Sequence, residues 1–321
     1  VYTHARGAEI AEAIGKAQLS VSTADRKDET AGAVNVIAPD HHFLESWNDA
    51  QPKMSVLALG QPAITPLFKT RQAQDSFLKW SGVSTEYFEY MKANWRASYY
   101  SGNDNDIEFQ MWWDKTLQDG AITRPFATTL DIDVFSGDFG AISSAISSSY
   151  KAANTGLELE LYFKIGIGDG TQANNPWLQE MPDPVTKSTW DNYLLVSQKF
   201  ANENGITAFE GKANKVNLTV NGQVIEVPVV IQPGQEDNTL GLALGYGRTA
   251  AGKVANGVGV SAAGFQTVIN GGVSGVVTSG VSIEVLENNY QVAQTQTHHT
   301  YMDRGFVIQE STLSEYKKDP Y

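Results

Sequence analysis

The chain has 321 residues, 41% of them hydrophobic, with 13 Tyr, 13 Phe, 7 Trp and a formal net charge of -13. That length suggests about two domains of roughly 150 residues, and the apolar content suffices for real cores, which excludes a wholly disordered chain. With 36 acidic residues against 23 basic ones and no basic run, counterion release cannot drive binding to nucleic acid, and no nucleic-acid partner is expected.

There is no cysteine, so this stretch holds no disulfide, no thiolate zinc site and no iron–sulfur cluster. No apolar run approaches the ~20 residues that span a bilayer, and Val1 opens neither a basic nor an apolar leader segment. A first residue other than Met and a close on Lys317-Lys318-Asp319-Pro320-Tyr321 read as a piece of a longer protein.

In chain order, residues 5–17 place Ile10 and Ile14 on one helical face, and Leu19-Ser20-Val21 and Val34-Asn35-Val36-Ile37 read as short strands. The stretch carrying Pro39, Pro52, Pro62 and Pro66 reads as loop. It leads to a helix from an N-cap near Thr70 to Trp80, stopped by Gly82. Phe88, Met91, Trp95 and Tyr99, then Phe109, Trp113 and Leu117, recur at spacings of three and four and predict a helical pair over 83–125. The Gly/Ser/Ala-rich residues Gly137 to Ser149 read as a loop. From Leu157, Leu159, Leu161, Phe163 and Ile165 alternate with Glu158, Glu160, Tyr162 and Lys164, the period of a half-buried strand. Asn221-Gly222 separates two apolar runs and predicts a hairpin with a type I′ turn. Thr239 to Tyr246 and Val281 to Leu286 supply further strands.

Gly247-Arg248-Thr249-Ala250-Ala251-Gly252-Lys253-Val254 nearly spells a phosphate loop. Val254, however, stands where a hydroxyl must reach Mg²⁺, and Gly257 and Gly259 oppose the helix that must follow. Asp40-His41-His42-Phe43-Leu44-Glu45 offers two carboxylates and two imidazoles, read either as a polar loop or as part of a metal site. His298-His299 has no acidic or imidazole neighbour close in sequence, and Asp104/Asp106 and Asp131/Asp133/Asp138 lack the glycine and closing glutamate of a calcium loop. The run Asn174 to Tyr193 carries three prolines and two tryptophans. Its composition fits a fixed loop that either plugs a barrel end or faces a ligand, and the prolines favour packing of Trp177 and Trp190.

Residues Asn175 to Tyr193, Leu218 to Gly222, Val227-Pro228-Val229, Gln232-Pro233-Gly234 and Leu244 to Thr249 together resemble the C-terminal domain of molybdopterin oxidoreductases. Val36 to Trp47 and Trp113 to Gly120 resemble upstream segments of the same enzymes. Asp40-His41-His42, Gly166-Ile167-Gly168-Asp169-Gly170 and Thr295 to Thr300 resemble one branch, the fused large subunit of bacterial alternative complex III. The resemblance implies an α/β plus β architecture. Its parts are the end of an α/β domain at 1–82, a helical connector and loop at 83–156, a double-psi β-barrel at 157–290, and a tail and linker at 291–321.

The same resemblance implies a subunit of a quinol-oxidising respiratory complex on the periplasmic side of the bacterial inner membrane, exported by a Tat-type route. The other subunits of that complex would be its partners, and iron–sulfur clusters would lie in a domain after Tyr321. In catalytic members the barrel loops close over a molybdopterin guanine dinucleotide. The matching positions here are Asn175, Trp177, Trp190, Asn192, Gly247, Arg248 and Thr249. Tyr246-Gly247-Arg248 departs from the Gln-Gly-His of many catalytic relatives. The branch resembles a version without the molybdenum cofactor, serving as a scaffold, and the metal-ligating residue of catalytic members would lie upstream of Val1.

Overall fold

In the computed structural model, which describes residues 1–124, 136–149, 156–209, 211–269, 272–297, 301, 304–307 and 309–320, the helical spacing of the first half folds as its periodicity requires. Glu9–Lys151 makes one unit, and Val1–Ala8 with Ala152–Tyr321 makes the other. After α1 (Gly7–Gly15), β1 (Val21–Ser22) and β2 (Val36–Ile37) pair in parallel, where the sequence places strands. The proline-bearing stretch is not all loop. β3 (Asn48–Lys53) and β4 (Val56–Gly60) form an antiparallel hairpin. Pro52 is tolerated because β3 is the edge of the β3-β4-β5 sheet and needs no donor on its outer side.

Helix α2 (Ala73–Trp80) begins later than expected and gives way at Gly82, φ 84°. Thr70 does not cap it; its hydroxyl meets His41 Nδ1 at 2.6 Å, while Asp40 Oδ1 accepts the Ala73 amide at 2.8 Å. In α3 (Tyr87–Ser98) and α4 (Asp106–Asp119), Met91, Trp95, Phe109 and Trp113 face one another as the buried core of this unit. Asn105 caps α4 and Gly120 ends it at φ 73°. β5 (Ala121–Thr123) then returns to pair with β4. Gly137 to Ser149 is not a loop: α5 (Phe139–Ser149) fills it. Asp138 Oδ1 accepts the Gly140 and Ala141 amides as an N-cap, and Phe139, Ile142 and Ile146 stand at helical spacing. Asp131, Asp133 and His298-His299 lie outside the described residues.

The second unit contains β6 (Leu157–Tyr162), α6 (Pro176–Glu180), β7 (Leu194–Val196), α7 (Gln198–Glu203), β8 (Ala208–Phe209), β9 (Lys212–Val220), β10 (Gln223–Ile231) and β11 (Thr239–Ala243). β12 (Thr267–Ile269), β13 (Gly272–Ser274), β14 (Val276–Gln291) and α8 (Leu313–Lys318) follow. Asn221 at φ 49° and Gly222 at φ 84° form the expected turn between β9 and β10. Strands β10-β7-β11-β6-β14-β9 run side by side and β9 pairs back to β10, closing a six-stranded barrel. The pairs β10–β7 and β11–β6 are parallel, and the other four contacts are antiparallel. Alternate residues of each strand, among them Leu159, Leu161, Leu194, Val196, Val216, Leu218, Val227, Val229, Leu240 and Leu242, fill the interior.

The alternation that begins β6 does not continue to Ile165. The strand ends at Tyr162, and beyond it the pattern inverts: Phe163 (59%) and Ile165 (77%) are exposed, whereas Lys164 is buried. Among the described residues, no helix is long and apolar enough to cross a membrane.

Candidate functional site

Two segments gather at one end of the barrel, residues 163–193 between β6 and β7 and residues 244–261 after β11. Asn175 holds the first turn of α6, its Oδ1 accepting the Trp177 amide at 3.0 Å, with Pro176 supplying the fixed φ of a first helical position. The Trp177 ring projects into solvent at 79% exposure, so it does not pack as its proline-rich setting suggests. Trp190 is half-buried at φ 63°, and its amide is held by the Gln179 carbonyl at 2.7 Å. Lys187 is also left-handed at φ 61°. Two such non-glycine residues within four positions mark a loop dictated by its surroundings rather than by local preference.

Asn192 has no exposed surface. Its Nδ2 donates to Ala243 O at 2.8 Å and Val260 O at 2.9 Å, while Oδ1 accepts the Val260 amide at 2.8 Å. One side chain thereby stitches the loop that enters β7 to β11 and to the 244–261 segment. Gly247 is needed where it stands: φ is 68°, and a Cβ there would collide with the backbone of Val260 and Ser261. Arg248 is buried, with Nη1 donating to Gly170 O at 2.7 Å and its guanidinium 4.5 Å above the Tyr2 ring. The Tyr2 hydroxyl in turn donates to Tyr246 O at 2.6 Å. Thr249 is exposed.

The phosphate-loop look-alike is a folded turn. Asn256 Oδ1 accepts the amides of Ala251 (2.8 Å) and Gly252 (3.1 Å), and Asn174 Oδ1 accepts that of Val254 (3.0 Å). Amides that would cradle a phosphate are therefore engaged by side chains, and turns rather than a helix follow.

The electrostatic centre of this barrel end is Lys164, which sequence alternation places on the solvent face. Its Nζ donates to Asp191 O at 3.0 Å and lies 3.9 Å from the Tyr193 ring centroid and 5.2 Å from that of Tyr246. Burial pushes the ammonium down to about 8, with the Asp183 and Asp191 carboxylates pulling the other way. Burial likewise raises the phenols of Tyr193, Tyr246 and Tyr162. Thr186 Oγ1 hydrogen-bonds the Tyr193 hydroxyl, and the Tyr290 hydroxyl donates to Asp191 Oδ2. Ser188 Oγ is buried beside Tyr193 without an aligned hydrogen bond. Lys164, Ser188, Trp190 and Tyr246 line a cavity of about 10 Å³, room for a single water. The available sequence signal for Lys164 was its place between the apolar residues Phe163 and Ile165, just where Gly166 interrupts the strand pattern.

The Asp40 to Glu45 group is structural. Glu45 accepts the amides of His42 (3.0 Å) and Leu67 (2.9 Å), which hold its carboxyl below the ordinary value, and His42 Nδ1 accepts the Leu44 amide at 3.3 Å. Among the described residues, no three His, Asp or Glu side chains are placed to hold a metal.

Of the seven residues matched by resemblance, Asn192, Gly247 and Arg248 belong to one tightly bonded cluster. Asn175 and Trp177 sit on α6, Trp190 is tied to Gln179, and Thr249 faces solvent. The Asn192 amide is satisfied by backbone, Arg248 is turned onto Gly170 and Tyr2, and the small cavity that Trp190 helps to line takes one water.

No protein-family model matches the chain, and no curated protein does. Among solved structures, acetylene hydratase from Pelobacter acetylenicus is similar to it, with a TM-score of 0.53 and 12% identity, over 81% of this chain and 39% of that one. At that identity the likeness is one of fold alone, and it accords with the mixed α/β chain and closed six-stranded barrel described above.

Proposed function

We propose that this chain is a scaffold part of a molybdopterin-oxidoreductase-like subunit in a membrane-attached, quinol-oxidising electron-transfer complex, without a molybdenum cofactor of its own. The fold likeness supports the family, and the sequence resemblance supports the branch. Within that reading, the six-stranded ring with two parallel pairs is a double-psi barrel. Partner subunits, an iron–sulfur domain and a periplasmic setting belong to the same proposal.

The observation that carries the scaffold role is the Asn192 and Arg248 cluster. Catalytic use of a barrel end requires donors left free for the ligand, whereas here they close the barrel onto its own loops. A second reading, a cofactor-binding domain of an active molybdopterin oxidoreductase, draws on the likeness to acetylene hydratase. Metal analysis for molybdenum and tungsten, with pterin fluorescence, on the full-length subunit separates them. The scaffold predicts neither signal, and a stoichiometric amount of either overturns it.

A further inference from the structure

An asparagine followed by glycine is prone to lose ammonia without any enzyme, because glycine has no Cβ to keep its nitrogen away from the asparagine side chain. Three such pairs stand among the described residues, Asn204-Gly205, Asn221-Gly222 and Asn256-Gly257, and both members of each are exposed. Sequence and exposure therefore do not separate them, but their hydrogen bonds do.

Ring closure needs an asparagine carboxamide free to turn and a glycine nitrogen free to attack it. At Asn204 the side-chain Nδ2 donates to Phe200 O at 2.9 Å, and the Gly205 amide donates to Asn202 O at 3.5 Å. At Asn256 the side-chain Oδ1 accepts the amides of Ala251 and Gly252, and the Gly257 amide donates to Arg248 O at 2.9 Å. In both pairs the two reacting groups are held. At the tip of the β9–β10 hairpin they are not. Neither the Asn221 carboxamide nor the Gly222 amide forms a hydrogen bond with a described residue; only the Asn221 main-chain amide is tied, to Gly280 O at 2.9 Å.

We infer that Asn221 is a site of spontaneous deamidation and isomerisation, the first of these three pairs to react in the folded chain. The Gly222 nitrogen attacks Asn221 Cγ and a new C–N bond closes a five-membered imide. The carboxamide C–N bond breaks, and its nitrogen leaves as ammonia with the proton that Gly222 gave up. Water then opens the imide. Addition at Cγ gives aspartate, whereas addition at the main-chain carbonyl gives isoaspartate, whose backbone runs through the side chain and is one carbon longer. The turn must open for the attack, and at an exposed hairpin tip that breaks only the pairing beside it. The other two pairs must also break the bonds that hold their reacting groups. Isoaspartate at this position disturbs the fold, because an added main-chain carbon no longer fits the Gln223–Val220 pairing that closes the turn.

The test is peptide mapping by mass spectrometry of the full chain held at mildly alkaline pH, folded and, in parallel, unfolded in guanidinium chloride. In the folded chain the peptide with Asn221 should gain one dalton first, as two products that chromatography separates. Asn204 and Asn256 should lag it about tenfold or more, since their held groups must first be released. In guanidinium the three pairs should react at comparable rates, and there, where the fold plays no part, Gly222→Ala should slow Asn221 about tenfold. Asn204 or Asn256 reacting as fast as Asn221 in the folded chain would overturn the inference. So would a folded Asn221 that stays intact while the unfolded chain reacts, or an Asn221 rate in guanidinium that Gly222→Ala leaves unchanged. No cofactor or partner subunit enters the measurement, so its outcome is independent of the scaffold reading.

Discussion

Asn192 and Trp177 lie in the same proline-rich run and are expected to behave in opposite ways. Asn192→Ala removes three buried hydrogen bonds at once and leaves Ala243 and Val260 with unanswered backbone groups. It should cost about 2–4 kcal/mol of stability in denaturant titration. Trp177→Ala deletes a ring that water already surrounds and should change stability by less than about 0.5 kcal/mol. Residue types were legible here, since Asn and Trp among prolines mark a fixed loop. Direction was not, because whether a ring points inward depends on the distant segment 244–261.

Lys164 allows a sign to be worked out. Its folded value of about 8 lies below the ordinary 10.5, so between those limits the unfolded chain holds a proton that the folded chain has released. Stability therefore rises with pH through that window, and the buried ammonium costs up to about 3 kcal/mol at neutral pH. Lys164→Met should stabilise the protein by about 1–3 kcal/mol at pH 7, less what the Asp191 carbonyl and the two rings lose. The advantage should fade towards pH 10.5. Parallel melts of both proteins across that range check it, and a variant equally destabilised at every pH contradicts it.

Among elements, those set by neighbours in sequence were readable and those set by distant partners were not. The β9–β10 hairpin follows from Asn221-Gly222, and α3 and α4 follow from apolar spacing with Gly120 at the end. The start of α2 is different, because its cap is the Asp40 carboxylate, brought from a loop more than thirty residues earlier. Asp40→Ala should therefore cost about 1 kcal/mol and fray the first turn of α2, visible as faster amide exchange at Ala73. Thr70→Ala should leave that amide protected, since Thr70 bonds His41 instead. The β3–β4 hairpin was hidden by Pro52, whose harmlessness depends on an edge position that only the assembled sheet defines.

For the whole molecule, composition indicated a globular acidic chain, while barrel closure was not written locally. Phe163 to Ile165 keeps the strand period, yet the chain turns away because β6 has only β11 and β14 to follow, and its last pairing with β11 is at Tyr162. The same global folding consumes the glycine-rich segment 247–254. Calorimetric titration of the chain with Mg-ATP should give no heat of binding, because Asn174 and Asn256 occupy the loop amides. A micromolar affinity abolished by Lys253→Ala would show that they can be displaced.

β14 also governs how this molecule can be made. Among the described residues it alone joins β6 to β9, so the first strand of the barrel waits for the last before its free edge is covered. On the ribosome, β6 through β11 emerge as an incomplete ring with two unpaired edges, the kind of intermediate that invites strand exchange between neighbouring chains. With so long a loop to close before the ring rewards it, the topology favours slow folding, and refolding kinetics should show barrel closure as the late step.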